Sequence, residues 1–128
     1  MEKELIRYSD EELNEFKLLI EKKLEAAQDE LKYYHDSIMH LDLHSTDDTA
    51  TSFQGVEDSN LHVEKEYLHQ MQERQQMYID HLIKALRRID NKSYGICRSS
   101  GKLISKQRLM AVPHATLSIE AKLNRDKA

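Results

Sequence analysis

Tryptophan is absent from this 128-residue sequence, phenylalanine occurs twice, cysteine and proline once each, and glycine three times. Each scarcity excludes something. The single cysteine, Cys97, rules out an internal disulfide and any site built from several thiolates. So little aromatic mass argues against a compact ball. Few Gly and Pro together with 33% charged residues point to long, solvent-exposed helices. No run of about 18 apolar residues is present, so no membrane span is expected. The opening MEKELIRYSDEE has no apolar signal core, and a cytoplasmic protein of one domain with an appended arm is expected.

Charge is present in quantity but unevenly placed. Residues 1–60 hold 16 acids and 6 bases, and residues 61–128 hold 7 acids and 13 bases. From Tyr33 to Glu64, both included, there are seven acids and no Lys or Arg. Such a run is either a solvated loop or one end of the molecule shaped to meet a cation or a basic channel.

Ser9-Asp10-Glu11-Glu12 reads as a capping box, so a helix is expected to begin near Asp10. Leu13, Ile20, Ala27, Tyr34 and Leu41 recur every seven residues. Leu24, Leu31 and Ile38 supply a second seam, with Phe16 one position off register. The arm these four heptads describe would be roughly 45–50 Å long. A second stripe runs through Leu61, Leu68, Gln75, Leu82 and Ile89, with Met71, Tyr78 and Ala85 beside it. It predicts a helix from about Glu57 to Asp90, with Tyr34 and Tyr78 in the seam core. The Ser-, Thr- and Asp-rich stretch between reads as a loop over about 42–56. Two helices of similar length joined by a short segment pack most simply as an antiparallel hairpin.

From Asn91 the character changes. Asn91–Gly95 reads as a helix stop and turn, a short irregular module follows through Pro113, and Ser118–Lys127 predicts a final helix. Leu103, Ile104, Leu109, Met110, Val112, Leu117 and Ile119 are the candidate core of that module. The fold class expected is therefore mainly all-α: a long antiparallel coiled-coil hairpin over 1–91, and a small module with a C-terminal helix over 92–128.

The residues of that module carry a resemblance. Tyr94, Gly95, Cys97, Gly101, Ile104, Arg108, Leu109, Ala111, Pro113, Ala115 and Ile119 fall in register, without a gap, on the pattern YGxCxxCGxxIxxxRLxAxPxAxxCIxC. The chain resembles the DksA/TraR zinc-finger family. The four positions that bear zinc ligands in that family are here Cys97, Ser100, Ser118 and Ala121. One thiolate remains, and His114 adds at most one nitrogen, whereas a closed structural zinc site needs four donors. No zinc is expected, and packing must hold the module together.

The resemblance implies a bacterial stress-response transcription regulator that binds RNA polymerase. The family inserts its coiled-coil tip through the secondary channel toward the catalytic Mg²⁺. Its tip, Asp-x-x-Asp-x-Ala, is matched by Ser45-Thr46-Asp47-Asp48-Thr49-Ala50 with Ser45 at the first Asp. Asp47, Asp48 and Ala50 are the tip candidates, against a reading in which Asp48 only caps the turn or the second helix. The family also implies an alarmone, ppGpp, as effector. Arg74, Arg108 and Lys122 match basic positions of that set, while His81 and Val112 stand at two others. Surface ion pairs are the alternative.

Nothing points to an enzyme: Cys97 lacks an adjacent base, and neither a Gly-rich phosphate loop nor a Ser/His/Asp grouping appears. His40 and His44, four apart, lack the Glu of H-E-x-x-H, and His62 and His69 read as one surface stripe. The C-terminal 37 residues carry eight bases against two acids, but no recognition-helix signature, so no sequence-specific DNA binding is expected. A monomer is expected over a dimer. The alternative is a structural coiled-coil protein that self-associates through leftover apolar heptads and has no polymerase role.

Overall fold

The computed structural model describes residues 7–45 and 54–127, with side chains over 7–43 and 59–126. It is all-α: α1 (Asp10–Ser45), α2 (Gln54–Asp90), α3 (Lys106–Ala111) and α4 (Ile119–Lys127). Among the described residues the only β-type pairing is a single antiparallel bridge between Ile96 and Leu103. The chain forms two compact units, one drawing on Met1–Leu24 and Asp80–Ala128, the other on Glu25–Ile79.

The first unit opens with the expected capping box. Ser9 Oγ accepts from the Glu12 backbone N–H at 3.2 Å, and Glu12 Oε1 accepts from the Ser9 N–H at 3.2 Å. The two reciprocal bonds satisfy helix-end donors that would otherwise face solvent. Leu13, Phe16 and Ile20 of α1 and Leu82, Ala85 and Ile89 of α2 are buried, each large aliphatic contributing about 1.5–3 kcal/mol. The end of α2 is a Schellman turn: Ser93 N donates to Arg88 O at 2.9 Å and Lys92 N to Ile89 O at 3.1 Å. Lys92 holds the left-handed position with φ 64°, and its ammonium pairs with Asp10 at 2.7 Å.

An aromatic cluster binds this unit together. Phe16 meets Tyr8 edge-on at 5.5 Å and Tyr94 at 5.2 Å between ring centroids. The Tyr8 hydroxyl donates to the Ile104 carbonyl, and the Tyr94 hydroxyl to the Pro113 carbonyl at 2.7 Å. Gly95, with φ 80°, is required here: a Cβ would stand 2.5 Å from the Tyr8 ring. Lys106 pairs with Glu12, tying α3 to the first turn of α1.

In the second unit α1 and α2 run antiparallel. Among its described residues, Ala27, Ile38, Leu68 and Ile79 are the buried hydrophobic ones. Gln75, the polar member of the α2 stripe, donates from Nε2 to the Ala27 carbonyl at 3.1 Å, a polar contact from α2 to α1. Lys65 and Asp42 pair at 2.8 Å.

The helices differ from expectation at several points. α1 continues to Ser45 and α2 starts at Gln54, so both reach into the 42–56 span read as loop. Asp42-Leu43-His44-Ser45 contains no Gly or Pro to stop a helix. Tyr34 and Tyr78 are half-buried rather than core. Ile79 is buried instead, because a 3.6-residue helix drifts against a strict heptad. The module expected to be irregular contains α3, capped by Ser105, whose Oγ accepts from Arg108 N at 3.2 Å. Leu109 points inward from α3, so Met110, one step round the helix, is 57% exposed rather than core. Ile119, at the first position of α4, is likewise exposed.

Candidate functional site

The finger-like module is organised around Cys97, which is 1% exposed. Two loops converge there. The first is a tight knuckle: Cys97 N donates to Lys102 O at 2.8 Å, Gly101 N to Cys97 O at 2.8 Å, and Ile104 N to Gly95 O at 2.7 Å. Gly101 sits at φ 73°, a conformation that glycine adopts without steric cost. The second loop leads into α4 and is joined to the first by Arg98 N donating to Thr116 O at 2.9 Å. Across the junction the Ser118 N–H donates to Cys97 Sγ at 3.4 Å.

This surrounding sets the chemistry of the sulfur. Burial alone would push the Cys97 thiol up. Hydrogen bonds from the Ser100 hydroxyl and from the backbone N–H groups of Ser118, Ser100 and Ser99 outweigh burial and bring it down to about 6. The sulfur is thus an anion-like acceptor at the centre of a ring of donors.

The four relict ligand positions are brought together, yet they do not fit zinc. Ser118 Oγ accepts from Ala121 N at 3.2 Å and thereby caps α4. Ser100 Oγ accepts from Lys102 N at 3.3 Å. Ala121 offers no donor atom, and neutral hydroxyls are poor partners for zinc. His114 does not complete the set: its ring stacks on His81 at 5.5 Å with an interplanar angle of 13°. Among the described residues no group of three or more His, Cys, Asp or Glu could hold a metal ion. The hydroxyls and backbone amides that surround Cys97 occupy the role that the other three thiolates have in a zinc-bearing finger.

The stacked imidazoles lie beside two arginines. Arg88 Nη2 is 3.5 Å from the His114 carbonyl, and Arg108 Nε donates to the Leu117 carbonyl at 2.8 Å. Burial lowers the pKa of His114, and His81, Arg88 and Arg108 lower it further. Arg108 therefore ties α3 to the loop before α4. Lys122 is exposed on α4 in the same unit, whereas Arg74 is exposed on α2 in the other unit. Asp47, Asp48 and Ala50 lie outside the described residues.

Two groups of residues escaped the sequence reading. Tyr8 was legible: it precedes the Ser9 cap while Leu13 stands four residues into the helix, the spacing of a hydrophobic staple, and both are buried. Tyr33 and Tyr67, 65% and 57% exposed, lie off the seam register and carried no motif.

Residues 92–123 match the prokaryotic dksA/traR C4-type zinc finger. Over 49 residues the chain is 45% identical to the RNA polymerase-binding transcription factor DksA of Caulobacter vibrioides, in two strains. That match covers 38% of this chain and 34% of the relatives' length, so the chain is matched to about a third of them. The fold is similar to that of transcription factor DksA2 from Pseudomonas aeruginosa, with TM-score 0.78, 23% identity, and coverage of 90% of this chain and 83% of that one. Among the described residues no helix is long and apolar enough to cross a membrane. Residues 92–123 thus form a finger segment of the dksA/traR type in which three of the four zinc cysteines are replaced, carried on a two-helix fold similar to that of DksA2.

Proposed function

We propose that this chain is a cytoplasmic transcription regulator that binds RNA polymerase directly and makes no sequence-specific DNA contact. The observation that carries the reading is the finger segment at residues 92–123 in one chain with an antiparallel α1–α2 hairpin, the combination found in a fold similar to DksA2. The hairpin inserts its loop into the secondary channel of polymerase. There the carboxylates of Asp47 and Asp48, with Ala50 beside them, meet basic residues or perturb the catalytic metal site. A two-helix arm enters a channel that excludes a globular domain. Arg74, Arg108 and Lys122 are the proposed contacts to polymerase or to ppGpp. The protein acts as a monomer.

The test is a pair of measurements on Asp47→Asn with Asp48→Asn. Polymerase binding is expected to persist while the effect on initiation is lost. Unchanged transcription in that variant would remove the tip from the mechanism. A stable dimer in light scattering that ignores polymerase would replace this reading with the structural, self-associating one.

A further inference from the structure

Val63, Tyr67, Gln70, Arg74 and Met77 follow one another along α2 at steps of four, three, four and three residues, so they form one line on the helix. It is not the seam with α1, which runs through Leu68 and Ile79. Val63, Tyr67 and Met77 are 62%, 57% and 59% exposed, and Gln70 and Arg74 are also exposed. From α1, Tyr33 is exposed as well, and its ring meets Tyr34 edge-on at 5.7 Å. Burial pushes the Tyr34 hydroxyl up, and the groups felt there include Glu30, Tyr67, Tyr33 and Arg74. Tyr33 and Tyr34 therefore lie ring to ring on α1, within electrostatic range of Tyr67 and Arg74 of the α2 line. Isolated exposed apolar residues are ordinary, but an aligned set is not. Tyr, Met and Arg are the residues enriched at protein interfaces, and Tyr and Arg dominate their energetics.

Charge identifies the occupant. Residues 25–79 hold twelve Asp and Glu against three Lys and Arg. A second copy of this unit, or a nucleic acid, would be repelled. A basic protein surface would be attracted, and its Lys and Arg side chains can lie over the exposed tyrosine faces. We infer that the Val63–Met77 line of α2, with Tyr33 and Tyr34 beside it, is the surface by which the hairpin docks on a basic patch of RNA polymerase, an assignment that rests on the function proposed above. The acids of the unit steer the encounter, and the aromatic line holds the complex once formed. Docking and action then reside in different residues: the tyrosine line binds, and the loop acts.

The experiment measures the affinity of purified polymerase core enzyme for the full chain at low and moderate salt. Tyr33→Ala with Tyr67→Ala is expected to weaken binding about tenfold or more, with helicity by circular dichroism unchanged because both rings are more than half exposed. Tyr67→Phe, which keeps the ring face, is expected to bind within about threefold of wild type. Wild-type affinity is expected to fall as salt rises. A double variant that binds as tightly as wild type overturns the docking surface while leaving the polymerase reading in place. A wild-type chain with no affinity for polymerase overturns both. A wild-type dimer that Tyr67→Ala dissociates overturns the assignment by giving the line to self-association.

Discussion

The Ser118 backbone N–H points at Cys97 Sγ from 3.4 Å, and this bond closes the finger where a metal would otherwise sit. Since the surrounding hydroxyls cap a helix and a turn, chelators have nothing structural to remove. A strong zinc chelator is expected to shift the melting temperature by less than about 1 °C, within the effect of a negligible free-energy change. Cys97→Ala leaves the N–H groups of Ser99, Ser100 and Ser118 without their acceptor and is expected to cost about 1–3 kcal/mol in denaturant unfolding. Ser100→Cys with Ser118→Cys and Ala121→Cys rebuilds the four-thiolate set. That triple variant is expected to bind one zinc by metal analysis, and a metal-free triple variant would show that the scaffold itself has diverged.

The Gly95 position allows a sharper test of the aromatic cluster. Gly95→Ala combines a left-handed backbone with a Cβ driven against the Tyr8 ring. Strain and overpacking together are expected to cost about 2–4 kcal/mol in denaturant unfolding. Tyr8→Phe keeps the ring and loses only the bond to the Ile104 carbonyl, so it is expected to cost about 1 kcal/mol. Equal losses in the two variants would remove the close approach from the explanation.

Two groups make stability rise with pH. Cys97 is an acid whose pKa falls from 9.0 to about 6 on folding, so its contribution is complete above pH 9 and is lost as pH falls toward 6. His114 is a base whose pKa is lowered from 6.5 by burial first and then by His81, Arg88 and Arg108. It takes up a proton less readily in the fold than in the unfolded chain, so stability falls again as pH drops through 6.5. Urea unfolding of wild type, Cys97→Ser and His114→Gln across pH 5 to 9 separates the two. The His114→Gln profile is expected to be flatter on the acid side, and the Cys97→Ser profile flatter between 6 and 9.

Gln75 sits in the hairpin seam with one bond to the Ala27 carbonyl. Gln75→Leu exchanges that bond for apolar burial and is expected to leave stability unchanged or raise it by up to about 1 kcal/mol. The expected loss is of register, read as broadened amide signals for residues 25–43 and 59–79 in NMR spectra. Sharp, undisplaced signals would show that the polar seam residue does not set the register.

Much of this architecture was legible in the sequence. The capping box placed the start of α1 at Asp10, and the heptads gave the two long helices because a narrow apolar stripe can only be covered by a neighbour. The replacement of three zinc-ligand positions by Ser100, Ser118 and Ala121 was legible directly from the residues. What stayed hidden came from packing over long separations. Tyr8 meets Ile104 across 96 residues, and His81 stacks on His114 because α2 and the loop before α4 converge. The α3 turn rests on six residues and a Ser105 cap, too short for periodicity to announce. The exposure of Met110 and Ile119 depended on which face of two short helices turned inward. Tyr33 and Tyr67 carried no signal because a residue outside the seam register has no partner in the sequence to identify it.

The bond between Tyr8 and Ile104 also sets an order of events during synthesis. A ribosome adding about 5–20 residues each second needs roughly 5–20 s to travel the 96 positions between them. Throughout that interval the start of α1 exists without the module that covers Tyr8 and Phe16, so two aromatic rings destined for the interior stand in water. The hairpin seam, whose contacts are nearer in sequence, is available sooner. Nascent-chain arrest before and after Ile104 emerges should therefore show protease access at Phe16 closing only when the last part of the chain is out.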